Sequence, residues 1–83
     1  MEIIRYERHL ESLGFMRAIV FREGDAYVAQ CLEYDVAAYG PEVGEVIKRL
    51  DRALEARLAL CAEQGRPLRE CVGPAPNRFR ILW

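Results

Sequence analysis

The most regular pattern of apolar and polar positions in the chain lies between residues 43 and 62. Apolar side chains return there at intervals of three and four residues, as on one face of an α-helix: Val43, Val46, Ile47, Leu50, Ala53, Leu54, Leu58 and Cys61. Charged residues such as Glu45, Arg49 and Arg52 occupy the other face. The pattern predicts one long amphipathic helix, which needs a second surface because isolated helices gain most of their stability from packing.

The segments before this helix alternate as β-strands do. In residues 15–22 one face carries Phe15, Ile19 and Phe21, and the other carries Met16, Ala18 and Val20. Gly24 in the sequence Glu23-Gly24-Asp25 suits a turn with positive φ, after which residues 26–32 return as a second strand. Residues 34–40 form a third β-prone run that ends at Gly40-Pro41. The prediction is a three-stranded antiparallel sheet followed by the helix.

The two ends of the chain are less regular. Residues 3–13 place four apolar side chains at helical spacing and predict a short helix, with a strand over residues 2–6 as the alternative. Residues 79–83 alternate and predict a terminal strand. Apolar ends of this kind predict contacts either with the rest of the domain or with a second subunit, and the candidates for subunit contacts are Tyr6, Leu10, Phe79, Ile81 and Trp83. The fold class is therefore α+β, a single domain over residues 1–83 with a β-β-β-α core at about 15–62.

Size and composition add limits to this picture. A chain of 83 residues with 52% apolar and 30% charged residues is an ordinary globular domain, small enough for oligomerisation to be a common source of stability. No apolar run approaches a membrane span and the first ten residues lack a signal-peptide pattern, so we expect a cytoplasmic protein. The net charge of −1 provides no general attraction for nucleic acid. Three cysteines at irregular spacing are predicted to be small apolar residues.

The sequence contains few residues that are suited to nucleophilic catalysis. The only serine and the only histidine, Ser12 and His9, lie three residues apart, but no carboxylate is placed to orient the imidazole, and His9 is predicted to be a surface residue. We assign no catalytic residue, metal site or cofactor, and expect a protein that is not an enzyme.

Four carboxylates form the other candidate group: Glu23, Asp25, Glu33 and Asp35. Glu33 and Asp35, joined by a third carboxylate, are the material for a metal-dependent nuclease, since paired carboxylates can hold a divalent cation. The alternative that we favour is an acidic edge that faces a basic protein partner.

The stretch GDAYVAQCLEYDVAAYG, followed by EVGEVIKRLDRALEARL, resembles the HicB-like antitoxin family. The resemblance covers about half of the chain, and the matching residues are Tyr27, Ala29, Cys31, Glu33, Gly40 and Glu45. Leu32 stands where the family has proline, and Pro41-Glu42 where it has a helix-capping Thr or Ser. The family's C-terminal DNA-binding extension has no counterpart after residue 65, so we expect no direct DNA binding.

The resemblance implies a β-β-β-α core in a small partner-binding domain. Some HicB-like proteins neutralise a HicA-type toxin, a small RNA-cleaving protein, and oligomers are common in the family. The expected function is therefore a protein-binding module that self-associates and has a HicA-type toxin as its candidate partner. The alternatives are a stand-alone oligomeric protein of structural role without a toxin, and the metal-dependent nuclease.

Overall fold

The computed structural model describes residues 2–83, which form an antiparallel sheet, one long helix and two short helices. The sheet has four strands in the order β1-β2-β3-β4. The elements are β1 (Ile3–Leu10), β2 (Gly14–Glu23), β3 (Ala26–Cys31), β4 (Ala37–Gly40), α1 (Val43–Glu63), α2 (Leu68–Cys71) and α3 (Asn77–Arg80). The α+β class is confirmed, while the prediction of three strands is wrong by one.

The predicted hairpin of β2 and β3 forms the centre of the sheet. Gly24 has φ +63° in the turn between the two strands, a backbone conformation that residues with a Cβ atom rarely adopt. Tyr27 pairs with Arg22 on one side of β3 and with Gly40 of β4 on the other. The three strands predicted from the alternation therefore pair as expected.

Helix α1 covers one face of this sheet, as its apolar spacing predicts. Val46, Leu50 and Leu54 are buried against side chains of the sheet that include Ala29 and Ala38. Each buried aliphatic side chain contributes about 1.5–3 kcal/mol, so this face is the main source of stability. Within residues 2–83, no helix is both long and apolar enough to cross a membrane.

The N-terminal segment is a strand and not the predicted helix. β1 pairs with β2 along its whole length, from Ile3 opposite Phe21 to Leu10 opposite Gly14. β3 pairs with one edge of β2, so a helix in place of β1 would leave the backbone N–H and C=O groups on the other edge of this ten-residue strand without partners in the sheet. The hydrogen bonds gained along that edge outweigh the helical spacing of the apolar residues in this segment.

The C-terminal segment packs on the face of the sheet opposite α1. It contains α3 and a turn instead of the predicted strand. Phe79, Leu82 and Trp83 are spaced by three and four residues, so one helical turn brings all three onto Ile19 and Phe21. A strand over residues 79–83 would instead have aligned Phe79 with Ile81, which is 72% exposed.

The protein is therefore layered, with α1 on one face of a single sheet and the C-terminal segment on the other. Residues outside the predicted core of 15–62 complete both apolar clusters. Leu68 and Val72 join the cluster under α1, and Ala75 joins the cluster on the opposite face.

Candidate functional site

The turn between β2 and β3 is an exposed tip that carries two of the predicted acids. Glu23 and Asp25 flank Gly24 there, and both side chains are exposed. They line an open cavity of about 470 Å³ whose other walls are Ala26, Tyr39, Gly40, Pro41 and Arg49. We call this set of residues the hairpin-tip surface.

The hairpin-tip surface combines an exposed aromatic ring with negative charge. Tyr39 is 61% exposed. Arg49 donates from Nη1 to the carbonyl oxygen of Tyr39 at 2.8 Å and from Nε to Oε1 of Glu45 at 3.3 Å. Because the Arg49 guanidinium is already paired with Glu45, it does not offset the charges of Glu23 and Asp25. These two carboxylates therefore give the surface an excess of negative charge. A ring beside carboxylates is suited to the ammonium or guanidinium group of a basic partner.

The other two acids lie at the opposite end of β3. The six residues of β3 and Leu32 lie between Asp25 and Glu33, and β3 alone spans about 20 Å at the rise of a β-strand. The structure therefore does not bring the four carboxylates together, and the predicted single acidic edge divides into two separate places.

Glu33 forms an intramolecular ion pair with Arg17. Its Oε2 accepts from Nε of Arg17 at 2.8 Å, and its Oε1 accepts from the backbone N–H of Arg17 at 2.6 Å. The guanidinium also lies 5.6 Å from the centre of the Trp83 ring. Glu33 thus connects the loop after β3 to β2 and, through Arg17, to the C-terminal segment.

Asp35 is part of a second group of structural contacts. Its Oδ1 accepts from Nε2 of Gln30 at 3.2 Å, and its backbone N–H donates to Gly73 at 2.7 Å. Gln30 is only 3% exposed, and its amide also donates to the carbonyl oxygen of Cys31 at 2.9 Å. These bonds hold the loop between β3 and β4 against the C-terminal segment.

The nuclease alternative requires a third ligand beside Glu33 and Asp35. In the part of the chain that the structure describes, no three His, Cys, Asp or Glu side chains are grouped so that they could hold a metal ion. Since Arg17 and Gln30 already bind the two carboxylates, the structure does not assemble the predicted nuclease site.

The residues predicted to mediate subunit contacts are mostly engaged within the chain itself. Tyr6 and Leu10 pack against the cluster under α1, while Phe79 and Trp83 pack on the opposite face of the sheet. Arg5 donates from Nε to the carbonyl oxygens of Leu82 and Trp83, at 2.9 and 2.7 Å. Among the five predicted residues, only Ile81 is left exposed.

The cysteines behave as the small apolar residues that their spacing predicts. Cys31 and Cys61 are buried and Cys71 is half-buried. Burial raises the pKa of the Cys31 thiol, and a hydrogen bond with the Cys71 thiol raises the pKa of Cys61. Raised pKa values keep both thiols protonated near neutral pH, in a form that is a poor nucleophile.

His9 lies at the surface, as predicted. Its ring meets the ring of Phe15 edge-on at a centroid distance of 5.7 Å. Ser12, in the turn between β1 and β2, is also exposed. The structure gives neither residue a carboxylate partner among the described hydrogen bonds and ion pairs of residues 2–83.

A scan against protein-family models finds no match to this chain, and searches of curated proteins and of solved structures find none either.

Two features of these surfaces are missing from the sequence-based prediction. The first is Tyr39, treated there only as part of a β-prone run. Alternation along β4 places it on the face opposite Ala38, which packs under α1. The second is the free edge of β1, which the prediction of a helix in residues 3–13 conceals.

Proposed function

We propose that this chain is a small protein-binding module, similar to a HicB-type antitoxin, that self-associates and binds a basic partner at the hairpin-tip surface. The partner that the resemblance implies is a HicA-type toxin. The observation that carries the proposal is the arrangement of Glu23, Asp25 and the exposed Tyr39 around one open cavity.

Charge complementarity supports a basic partner. Neither Glu23 nor Asp25 forms an ion pair within residues 2–83, so both carboxylates are free to meet cations of another protein. A protein that cleaves RNA must present Lys or Arg side chains to phosphates. An acidic surface that covers those side chains would compete directly with RNA.

The order of the elements also supports the resemblance. β2, β3, β4 and α1 follow one another as the β-β-β-α core of the family would, with the helix across the antiparallel sheet. β1 and the C-terminal segment are additions to that core.

The second candidate is a stand-alone oligomeric protein with no toxin partner. The observation that favours it is the outer edge of β1, a strand of eight residues at the end of the sheet. Such an edge can pair with another strand without any basic partner.

The test begins with the reading frames beside the gene. A neighbouring frame for a small basic protein is expressed together with the tagged chain, and we measure both the binding constant and the inhibition of RNA cleavage. We expect the chain to bind this protein and to block cleavage. The double variant Glu23→Gln, Asp25→Asn should weaken binding about tenfold, since each exposed ion pair is worth up to about 1 kcal/mol.

The matched control is Glu55→Gln, Glu63→Gln, which removes the same charge from exposed positions on α1. This control should bind as the unchanged chain does. If the neighbouring protein binds equally well to both double variants, the hairpin-tip surface is not the binding site. If no neighbouring basic protein binds at all, the stand-alone oligomer becomes the better description.

A further inference from the structure

The outer edge of β1 is the longest free strand edge of the sheet. β1 has eight residues and pairs only with β2, whereas the other edge strand, β4, has only four residues. A long edge with unpaired N–H and C=O groups is a template for a further strand. The structure of residues 2–83 contains no element that pairs with it.

The side chains of β1 carry charges of both signs. Charges on an edge strand commonly prevent pairing, but a strand that alternates in sign repels only in some registers. Arg5 and Glu7 lie two residues apart and therefore share the face that is opposite α1. Arg8 lies on the α1 side, where it forms an ion pair with Asp51.

From this pattern we infer that β1 pairs antiparallel with β1 of a second copy, centred on Tyr6, with Arg5 opposite the partner's Glu7. This inference rests on the self-association in the proposed function and specifies its surface. The result is one continuous eight-stranded sheet, with both α1 helices on the same face.

Charge selects this register among the symmetric ones. A two-fold axis perpendicular to the sheet places one residue of β1 opposite itself. Centring on Arg5, Glu7 or Arg8 puts two like charges directly opposite each other, which destabilises a strand pair. Centring on Tyr6 instead gives two Arg5–Glu7 pairs of opposite sign. Centring on Ile4 allows only residues 2–6 to pair.

The same register covers exposed apolar surface. Ile4, which is 38% exposed, comes to lie beside the aliphatic stem of the partner's Arg8. Ile3 lies beside the partner's His9, next to the exposed ring of Phe15. Arg5 uses only Nε for the carbonyl oxygens of Leu82 and Trp83, so its Nη groups remain available for Glu7.

The experiment compares Glu7→Arg and Arg5→Glu with the unchanged chain by analytical ultracentrifugation, in reducing buffer so that no disulfide forms. Each variant alone faces itself with like charges, and its dimer dissociation constant should rise at least about tenfold. An equimolar mixture of the two variants should dimerise again, because Arg and Glu then face each other. The matched control Glu55→Arg, an equal charge change on the exposed face of α1, should leave the constant unchanged.

Thermal unfolding checks that each variant is folded, since Arg5→Glu also removes the bonds to the C-terminal carbonyl groups. Hydrogen exchange of the unchanged chain at two concentrations gives a second readout, in which β1 amides should gain protection on association. A dimer that is equally stable in Glu7→Arg and Glu55→Arg overturns the β1 pairing but not self-association. An unchanged chain that stays monomeric overturns both, while the test of the basic partner stands apart.

Discussion

Tyr6 is half-buried, and its hydroxyl is the buried side-chain oxygen for which residues 2–83 provide no hydrogen-bond partner. A buried hydroxyl that has lost its water without gaining a partner costs about 1–3 kcal/mol. We therefore expect Tyr6→Phe to leave the free energy of unfolding unchanged or to raise it by up to about 2 kcal/mol. Urea unfolding measures this, and a loss of stability would show that the hydroxyl is bonded in solution.

The same residue predicts a response to alkaline pH. Burial, reinforced by the negative charge of Asp51, raises the pKa of Tyr6 well above its ordinary value of 10.0. Above pH 10 the unfolded chain releases this proton while the folded chain retains it, so the unfolded state binds fewer protons and stability falls as pH rises. The loss should reach at most about 1.4 kcal/mol per pH unit. Tyr6→Phe should lose less stability than the unchanged chain between pH 10 and 11, and equal losses would contradict the shift.

At the scale of elements, α3 is held on the sheet by a small number of apolar side chains. Phe79 stacks on Phe21 with ring centroids 6.1 Å apart, whereas Ile81 on the same segment is 72% exposed. Phe79→Ala should lower the free energy of unfolding by about 2–3 kcal/mol, less than for a fully buried ring. Ile81→Ala is the control and should change it by less than about 0.5 kcal/mol. Similar effects of the two changes in chemical denaturation would contradict the packing of α3.

The elements differ in how well their sequence predicts them. Helix α1 repeats its apolar spacing over five turns, and the β2–β3 hairpin combines alternation with a glycine turn, so local pattern is sufficient for both. The two ends are short, and their few apolar residues fit more than one period. β1 becomes a strand because β2 has a free edge, and α3 becomes helical because Ile19 and Phe21 need a cover. Both reasons are tertiary, and neither is visible in the segment itself.

The candidate site follows the same division. The exposed acids of the hairpin turn can be predicted, because Glu23 and Asp25 flank a glycine that must form a tight turn. The engagement of Glu33 cannot, since Arg17 reaches it only after β2 and β3 have paired. Spacing in sequence says which side of a strand a carboxylate occupies, but not which cation lies beside it.

For the whole molecule, the important fact is that two apolar clusters share one sheet. Ile19 on one face and Val20 on the other are both fully buried, although they are neighbours in β2. Loss of α1 or of the C-terminal segment exposes residues of β2, the strand on which the other of these two elements also packs. The two clusters should therefore unfold together, as small domains with one cooperative structure do.

Two probes report on the two clusters separately. Trp83, the single tryptophan, packs on the face opposite α1, and its fluorescence follows that cluster. Far-ultraviolet circular dichroism follows mainly α1, the longest helix with 21 residues. In thermal unfolding both signals should give the same midpoint. Leu54→Ala, which creates a cavity only under α1 and costs about 2–5 kcal/mol, should lower both midpoints equally. A fluorescence midpoint that stays in place while the dichroism midpoint falls would mean that the C-terminal segment does not depend on the packing of α1.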